Sequence, residues 1–190
     1  MWKVLSSRLV YDAWLRLSLL RLRYSNGEEG ALHVEDHGSV VGVLPYDPVR
    51  RTVLLVSLPR AAQLFVGDEE RLLECPAGLI DPGEDPEAAA RREAMEEAGV
   101  RLKDLQPVVT AWTMPGLSTE RAHLFLSQYA PEDRIDAGGG APDENEEIEV
   151  TERGIAEIWR SALNGGVKEL KLLLLLHALY VRRPDLFEPD

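Results

Sequence analysis

Apolar and polar positions alternate along residues 15–24, in the order Leu-Arg-Leu-Ser-Leu-Leu-Arg-Leu-Arg-Tyr, with one slip at Leu19-Leu20. A period of two predicts a half-buried strand, and the slip a bulge. Ser25-Asn26-Gly27 is a turn signal and residues 31–35 read as the returning strand, so residues 1–36 are expected to form an N-terminal hairpin arm. Residues 39–46 and 52–58 are β-branched and apolar, with Asp47-Pro48 turning between them; they predict central strands of a larger sheet. Further strands are predicted over 72–75, 108–113, 121–129 and 147–151.

Three helices are predicted. The first covers 86–98: Asp85 suits the N-cap, Pro86 the first helical position and Gly99 the stop. The second covers 155–163 and ends near Gly165-Gly166; the third covers 168–181 and is closed by Pro184. Strands and helices are interspersed without regular alternation, which favours a mixed sheet between helices over a doubly wound parallel sheet. Residues 132–147 contain Gly138-Gly139-Gly140, Pro142 and seven acids, and read as a mobile loop.

A chain of 190 residues suits one domain with a short arm, here residues 1–36 followed by a domain over 37–190. With 45% hydrophobic and 28% charged residues, disorder is excluded. No apolar run approaches the roughly 18 residues of a membrane span; the Leu block ends at His177, and Arg8, Asp12 and Arg16 interrupt any secretory core. The lone cysteine, Cys75, excludes an internal disulfide and a thiolate zinc cluster, and a cytoplasmic compartment is expected. Against 33 acids stand 21 Lys and Arg, a net charge of −12. Such a surface repels nucleic acid backbones, so neither a nucleic acid nor a membrane is an expected partner.

The informative acids lie in the first helix. Helical spacing puts Glu93 and Glu97 four apart on one face with Glu96 beside them, near the end where the macrodipole disfavours anions. On the helix alone, a solvated face with Arg92 paired to Glu96 is the simpler reading. Its surroundings change that. Ala90, Ala94 and Ala98 form a second face that allows close approach to a sheet, and the Gly- and Pro-rich loop 77–84 leads from a strand into the helix and can aim main-chain groups and Glu84 at a shared cation. A hard divalent cation takes oxygen ligands and would turn repulsion into attraction.

Gly78, five residues, Glu84, seven residues, then Arg92-Glu93-Ala94-Met95-Glu96-Glu97-Ala98-Gly99-Val100 resembles the signature of the Nudix hydrolases, with Ala94 where a larger aliphatic is usual. The resemblance implies a loop–helix–loop site on an α/β fold, the Nudix α/β/α sandwich with a mixed β-sheet, carrying here an N-terminal β-hairpin arm. It implies Mg²⁺- or Mn²⁺-dependent hydrolysis of a nucleoside diphosphate linked to another moiety. Carried onto this chain, Glu93 and Glu97 would be the main metal ligands, Glu96 and the Ala77 carbonyl would complete the shell, Arg92 would hold the glutamates, and Gly78, Glu84 and Gly99 would shape the motif.

Three segments resemble the ADP-ribose and GDP-mannose pyrophosphatase group. They are Leu73-Glu74-Cys75-Pro76-Ala77-Gly78, the loop Met114-Pro115-Gly116-Leu117-Ser118-Thr119-Glu120, and Ala137-Gly138-Gly139-Gly140 followed by Asp143-Glu144-Asn145-Glu146-Glu147. By that resemblance Glu146 would ligate a metal and Glu144 would be the general base, with Glu147 as the adjacent alternative. Glu74, Gly116, Glu120 and Arg60 would contact the nucleotide sugar, helped by Arg50 or Arg51 at the phosphates. The arm would join two copies in a homodimer, its Trp2, Tyr11, Trp14 and Tyr24 facing a base or packing the interface. His33, His37, His123 and His177 lack ligand spacing and are expected to be structural.

Two rivals remain at this point: another Nudix pyrophosphohydrolase acting on a nucleoside triphosphate or dinucleotide, and a non-catalytic nucleotide-sugar-binding Nudix module. The complete set of carboxylates weighs against the module. An EF-hand is excluded, because its Asp-x-Asp-x-Asp-Gly spacing is missing.

Overall fold

The computed structural model describes residues 1–68, 70–141 and 147–188. It divides into two compact units, Met1–Val40 with Thr110–Ala122, and Val41–Val109 with His123–Asp190. In the first unit β1 (Lys3–Asp12), β2 (Arg16–Arg23) and β3 (Glu29–Asp36) form an antiparallel sheet in that order. β2 and β3 are the predicted hairpin, with Leu20 opposite Leu32 and Arg16 opposite Asp36. Gly27 adopts φ 90° in the turn, a conformation that favours glycine.

β1 has no counterpart among the predicted elements. Its register against β2 shifts between Val4 and Ser6 and again between Leu9 and Tyr11, which breaks the period of two. Every residue of β1 is exposed, so no buried face marks it either. The 113–120 loop lies on β3: Glu35 donates its N–H to the Leu117 carbonyl at 2.8 Å and accepts from Thr119 at 2.9 Å.

The remaining elements are β4 (Val40–Asp47), β5 (Thr52–Leu58), α1 (Ala61–Phe65), β6 (Leu72–Glu74), β7 (Ala77–Leu79), α2 (Pro86–Ala98), β8 (Leu105–Trp112), β9 (Arg121–Gln128), β10 (Glu149–Gly154), α3 (Ile155–Leu163) and α4 (Leu170–Arg182). Among the described residues they build a seven-stranded mixed sheet in the order β10-β5-β4-β9-β8, with β6 paired to β5 and β7 to β4. α1 and β7 lie where loop was expected; five and three residues are too few to show a period.

Alternation across β4 and β5 sorts the core. Val41, Val43, Leu54, Val56 and Leu58 cluster with Ala89, Ala90, Ala94 and Ala98 of α2, all buried. The alanine face therefore does what its small size predicts and brings the α2 backbone close to the sheet. The other face of β4 meets α4, since a Cβ on Gly42 would touch Leu124, Cys75 and the Lys171 stem at 3.0–3.5 Å. Leu172, Leu175, Leu176 and Leu179 of α4 are fully buried. The sheet thus lies between helices, the α/β/α arrangement expected. α4 starts two residues later than predicted because Glu169 caps it, accepting from the N–H groups of Lys171 and Leu172. His177 packs edge-on against Trp159, with ring centroids 4.8 Å apart. No helix among the described residues is long and apolar enough to cross a membrane.

Candidate active site

α2 begins and ends as its sequence dictates. Asp85 accepts from the N–H groups of Glu87 and Ala88, a cap worth about 1 kcal/mol, and Gly99 closes the helix in the left-handed region at φ 64°. The site lies on the polar face between them. Glu93 and Glu97 are only 8% and 3% exposed. Two buried carboxylates near a helix C-terminus are costly unless something satisfies them.

Arg92 satisfies part of the demand. Its Nη1 donates to Glu93 Oε1 at 2.7 Å and to Glu96 Oε2 at 3.1 Å. Nε and Nη2 grip Glu84 bidentately at 3.1 and 3.0 Å, and Nη2 also reaches the Leu79 carbonyl at 2.9 Å. The hydrogen bond from Arg92 holds the Glu84 carboxyl below the usual glutamate pKa. Glu84, offered from sequence as a group that could face the cation, is thus engaged by Arg92 and ties the loop to the helix. Glu97 Oε2 accepts from the Ala77 N–H at 2.9 Å, which brings β7 against the helix. A Cβ on Gly78 would meet the Glu93 carboxylate, so a larger residue there would displace that side chain.

Glu84, Glu93 and Glu96 share the Arg92 guanidinium and Glu97 faces the Ala77 N–H, so the side chains offered to a hard cation are carboxylate oxygens. Charge and donor type fit Mg²⁺ or Mn²⁺. Among the described residues no three acidic, His or Cys side chains converge as a ready-made metal cage. Arg92 lies between Glu93 and Glu96, and Glu97 is turned to Ala77, so each of these carboxylates meets a protein N–H group.

In the glycine run, Gly139 and Gly140 donate to the carbonyls of Glu97 and Glu96 at 2.9 and 3.0 Å, and Ile135 and Asp136 donate to the Gly99 carbonyl at 2.9 and 3.2 Å. The segment is held because α2 leaves C-terminal carbonyls that need partners.

A NUDIX domain model matches residues 36–164. The chain belongs to the Nudix family. It is 37% identical over 150 residues to the GDP-mannose pyrophosphatase of Cronobacter sakazakii, covering 78% of this chain and 77% of that protein. To the GDP-mannose pyrophosphatase of Salmonella arizonae it is 34% identical over 149 residues, covering 78% and 76%. A crystal structure of an ADP compounds hydrolase shares the fold with a TM-score of 0.77 at 20% identity, over 97% of this chain and 95% of that one.

The other residues singled out from the Nudix resemblance fall in several places. Arg60 and Glu74 meet each other: Arg60 Nε and Nη2 lie 2.6 and 3.0 Å from the two oxygens of the buried Glu74. Arg50 is bound to Asp47 at 2.6 Å and to Glu152, and Arg51 donates to the Glu188 carbonyl at 3.1 Å. Glu147 is anchored at its carbonyl by the Arg71 guanidinium. Glu144 and Glu146 lie outside the described residues. Gly116 and Glu120 belong to the first unit, where Gly116 forms the exposed turn after Pro115. A cavity of about 410 Å³, lined by Asp47, Lys103, Gln106, Gln128, Tyr129 and Asp133 among others, contains none of the Nudix glutamates.

One cluster in the first unit was not legible as a site. His37 bridges Glu35, through Nδ1, and Glu120, through Nε2 at 2.7 Å, and stacks on Trp14 with centroids 5.4 Å apart. Burial opposes its protonation, but hydrogen bonds to Glu35 and Glu120 outweigh that and raise its pKa above the ordinary imidazole value. Glu35 lies in β3 and His37 just beyond its end at Asp36; Glu120 is 83 residues from His37, and no spacing announces it.

Proposed function

We propose that this Nudix hydrolase cleaves the pyrophosphate bond of a nucleoside diphosphate sugar with Mg²⁺ or Mn²⁺, releasing a nucleoside monophosphate and a sugar phosphate. The observation that carries this reading is the gathering of Glu93, Glu96 and the buried Glu97 on one face of α2, with Arg92 holding Glu93 and Glu96 and Gly78 close against Glu93. The names of the relatives at 34–37% identity make GDP-mannose the first substrate to test, ahead of ADP-ribose.

Glu93, Glu96 and Glu97, with the Ala77 carbonyl and Glu146, would hold the cation. Bound there, it would neutralise phosphate charge and acidify a water. Arg92 keeps Glu93 and Glu96 in place. Glu144 would accept the proton as the water oxygen bonds to phosphorus and the bridging P–O bond breaks, with Glu147 as the alternative base. Arg60, oriented by Glu74, would meet a phosphate or ribose oxygen, and Gly116 and Glu120 would line the sugar side.

The deciding experiment incubates the protein with Mg²⁺ and a panel of nucleotide sugars, nucleoside triphosphates and dinucleotides, and identifies the products. Release of a monophosphate and a sugar phosphate is expected; cleavage confined to triphosphates, or binding without turnover, would reject the reading. Glu144→Gln should lower the rate by roughly 10²–10⁴-fold, and an unchanged rate would move the base to Glu147.

Residues 1–36 are proposed as the dimerising arm. Trp2, Val4, Leu9, Tyr11 and Trp14 are each about half exposed or more, an apolar surface suited to a second copy of the chain. A monomer at micromolar concentration in sedimentation equilibrium would contradict this.

A further inference from the structure

The carbonyls at the end of α2 raise a separate question: what holds the last turn of a helix that carries its charges at the unfavourable end. Gly99 donates to the Met95 carbonyl at 3.0 Å and Val100 to Ala94 at 3.2 Å, which accounts for two of the last carbonyls within the helix's own chain. The next two, on Glu96 and Glu97, are the carbonyls of proposed metal ligands. Both are met from a distant stretch, by Gly140 and Gly139. In return the Gly99 carbonyl receives Ile135 and Asp136. The contact is tight at one residue. Gly138 adopts φ 72°, and a Cβ on it would overlap the Glu97 carbonyl oxygen and the Ala98 backbone. Its own N–H is held by Asp136 Oδ1 at 3.1 Å, which sets the turn.

We propose that residues 135–140 are a positioning brace for the metal-binding glutamates, and that Gly138 sets its fit. Without the brace the α2 C-terminus would fray, as helix ends with unpaired carbonyls do. Glu96 and Glu97 sit in that last turn, so fraying scatters their carboxylates. The N–H groups of Gly139 and Gly140 also point at the negative pole of the helix and offset part of the field that acts against those carboxylates. None of these residues touches the cation or substrate; they act through Glu96 and Glu97. The inference rests on the metal reading of α2 given above.

The test measures Mn²⁺ binding by electron paramagnetic resonance without substrate, together with amide exchange of the metal-free protein. Gly138→Ala should weaken Mn²⁺ binding about 10-fold or more, the usual scale for losing a group that orients a ligand. Exchange at Gly139 and Gly140 should speed up in parallel, and saturating metal should restore most of the turnover. Gly165→Ala is the control: Gly165 has the same left-handed backbone, φ 76°, with nothing within 4 Å of a Cβ. It should bind Mn²⁺ like the wild type. Asp136→Ala loosens the turn without adding an atom, so it carries the test if Gly138→Ala does not fold; a loss of about threefold is expected from one hydrogen bond. Wild-type affinity in both brace variants, or an equal loss in Gly165→Ala, would overturn the brace. Failure of the wild type itself to bind Mn²⁺ would instead overturn the metal reading and the brace's proposed purpose with it.

Discussion

Two carboxylate clusters in the second unit differ in their balance of charge. On α2 and the loop before it, Glu84, Glu93 and Glu96 share Arg92, and Glu97 accepts from the Ala77 N–H. At β6 and the start of α4, Glu74 and Glu169 meet two cations: Arg60 grips Glu74 bidentately, and Lys171 Nζ lies 2.7 Å from Glu169 and 3.6 Å from Glu74. Burial is similar, since Glu74 is 2% exposed and Glu97 3%. The balanced cluster is complete within the chain and ties β6 to α4 and to Arg60. In the other, one guanidinium bridges three carboxylates. Burial alone does not separate the two clusters; the kind of group each carboxylate meets does.

This contrast makes opposite predictions for two Glu→Gln changes. Glu97→Gln should cut metal-dependent turnover by about 10³-fold or more, the equivalent of several kcal/mol of charge stabilisation. Its thermal midpoint should hold or rise slightly, because one of two like charges at i,i+4 is removed. Steady-state kinetics and calorimetry on the same sample check both; full activity would end the ligand assignment. Glu74→Gln should do the reverse. Breaking a buried pair costs about 3–5 kcal/mol, and since Arg60 is 39% exposed we expect about 2 kcal/mol in urea unfolding. Mn²⁺ affinity should be kept. A Glu74→Gln variant that loses metal but not stability would erase the distinction.

The Glu35–His37–Glu120 cluster sharpens the comparison with a smaller effect, because its balance depends on pH. The folded-state pKa of His37 is raised. Its stabilisation is therefore complete below the ordinary imidazole value of 6.5 and is lost as pH rises through the higher folded value. With solvent screening the change should stay below about 1 kcal/mol. Thermal midpoints between pH 6 and pH 9 should fall in the wild type and flatten in His37→Asn. Parallel slopes would show that the imidazole holds no charge between these acids.

What was legible follows the range of the forces involved. α2 ends where Asp85, Pro86 and Gly99 place its caps, because capping is settled within one turn of the chain. β4 and β5 were legible from apolar runs, since both their faces are buried. β1 was not, because two bulges and full exposure leave no period. The glycines of 138–140 mark a loop in the sequence; that the same permissiveness serves a left-handed, close contact with α2 shows only in the structure. Arg60 and Glu74 were each assigned to substrate, and only their distance shows that they also serve one another.

From its sequence alone, this protein is a Nudix enzyme with the glutamates on one helical face, because a helix repeats at 3.6 residues and its caps are local. The tertiary structure decided which of those acids are buried, which share Arg92, and what meets the carbonyls beneath them. Those partners come from residues 77–84 and 135–140, and a contact between distant segments is set by how sheet and helix pack, which no local pattern encodes.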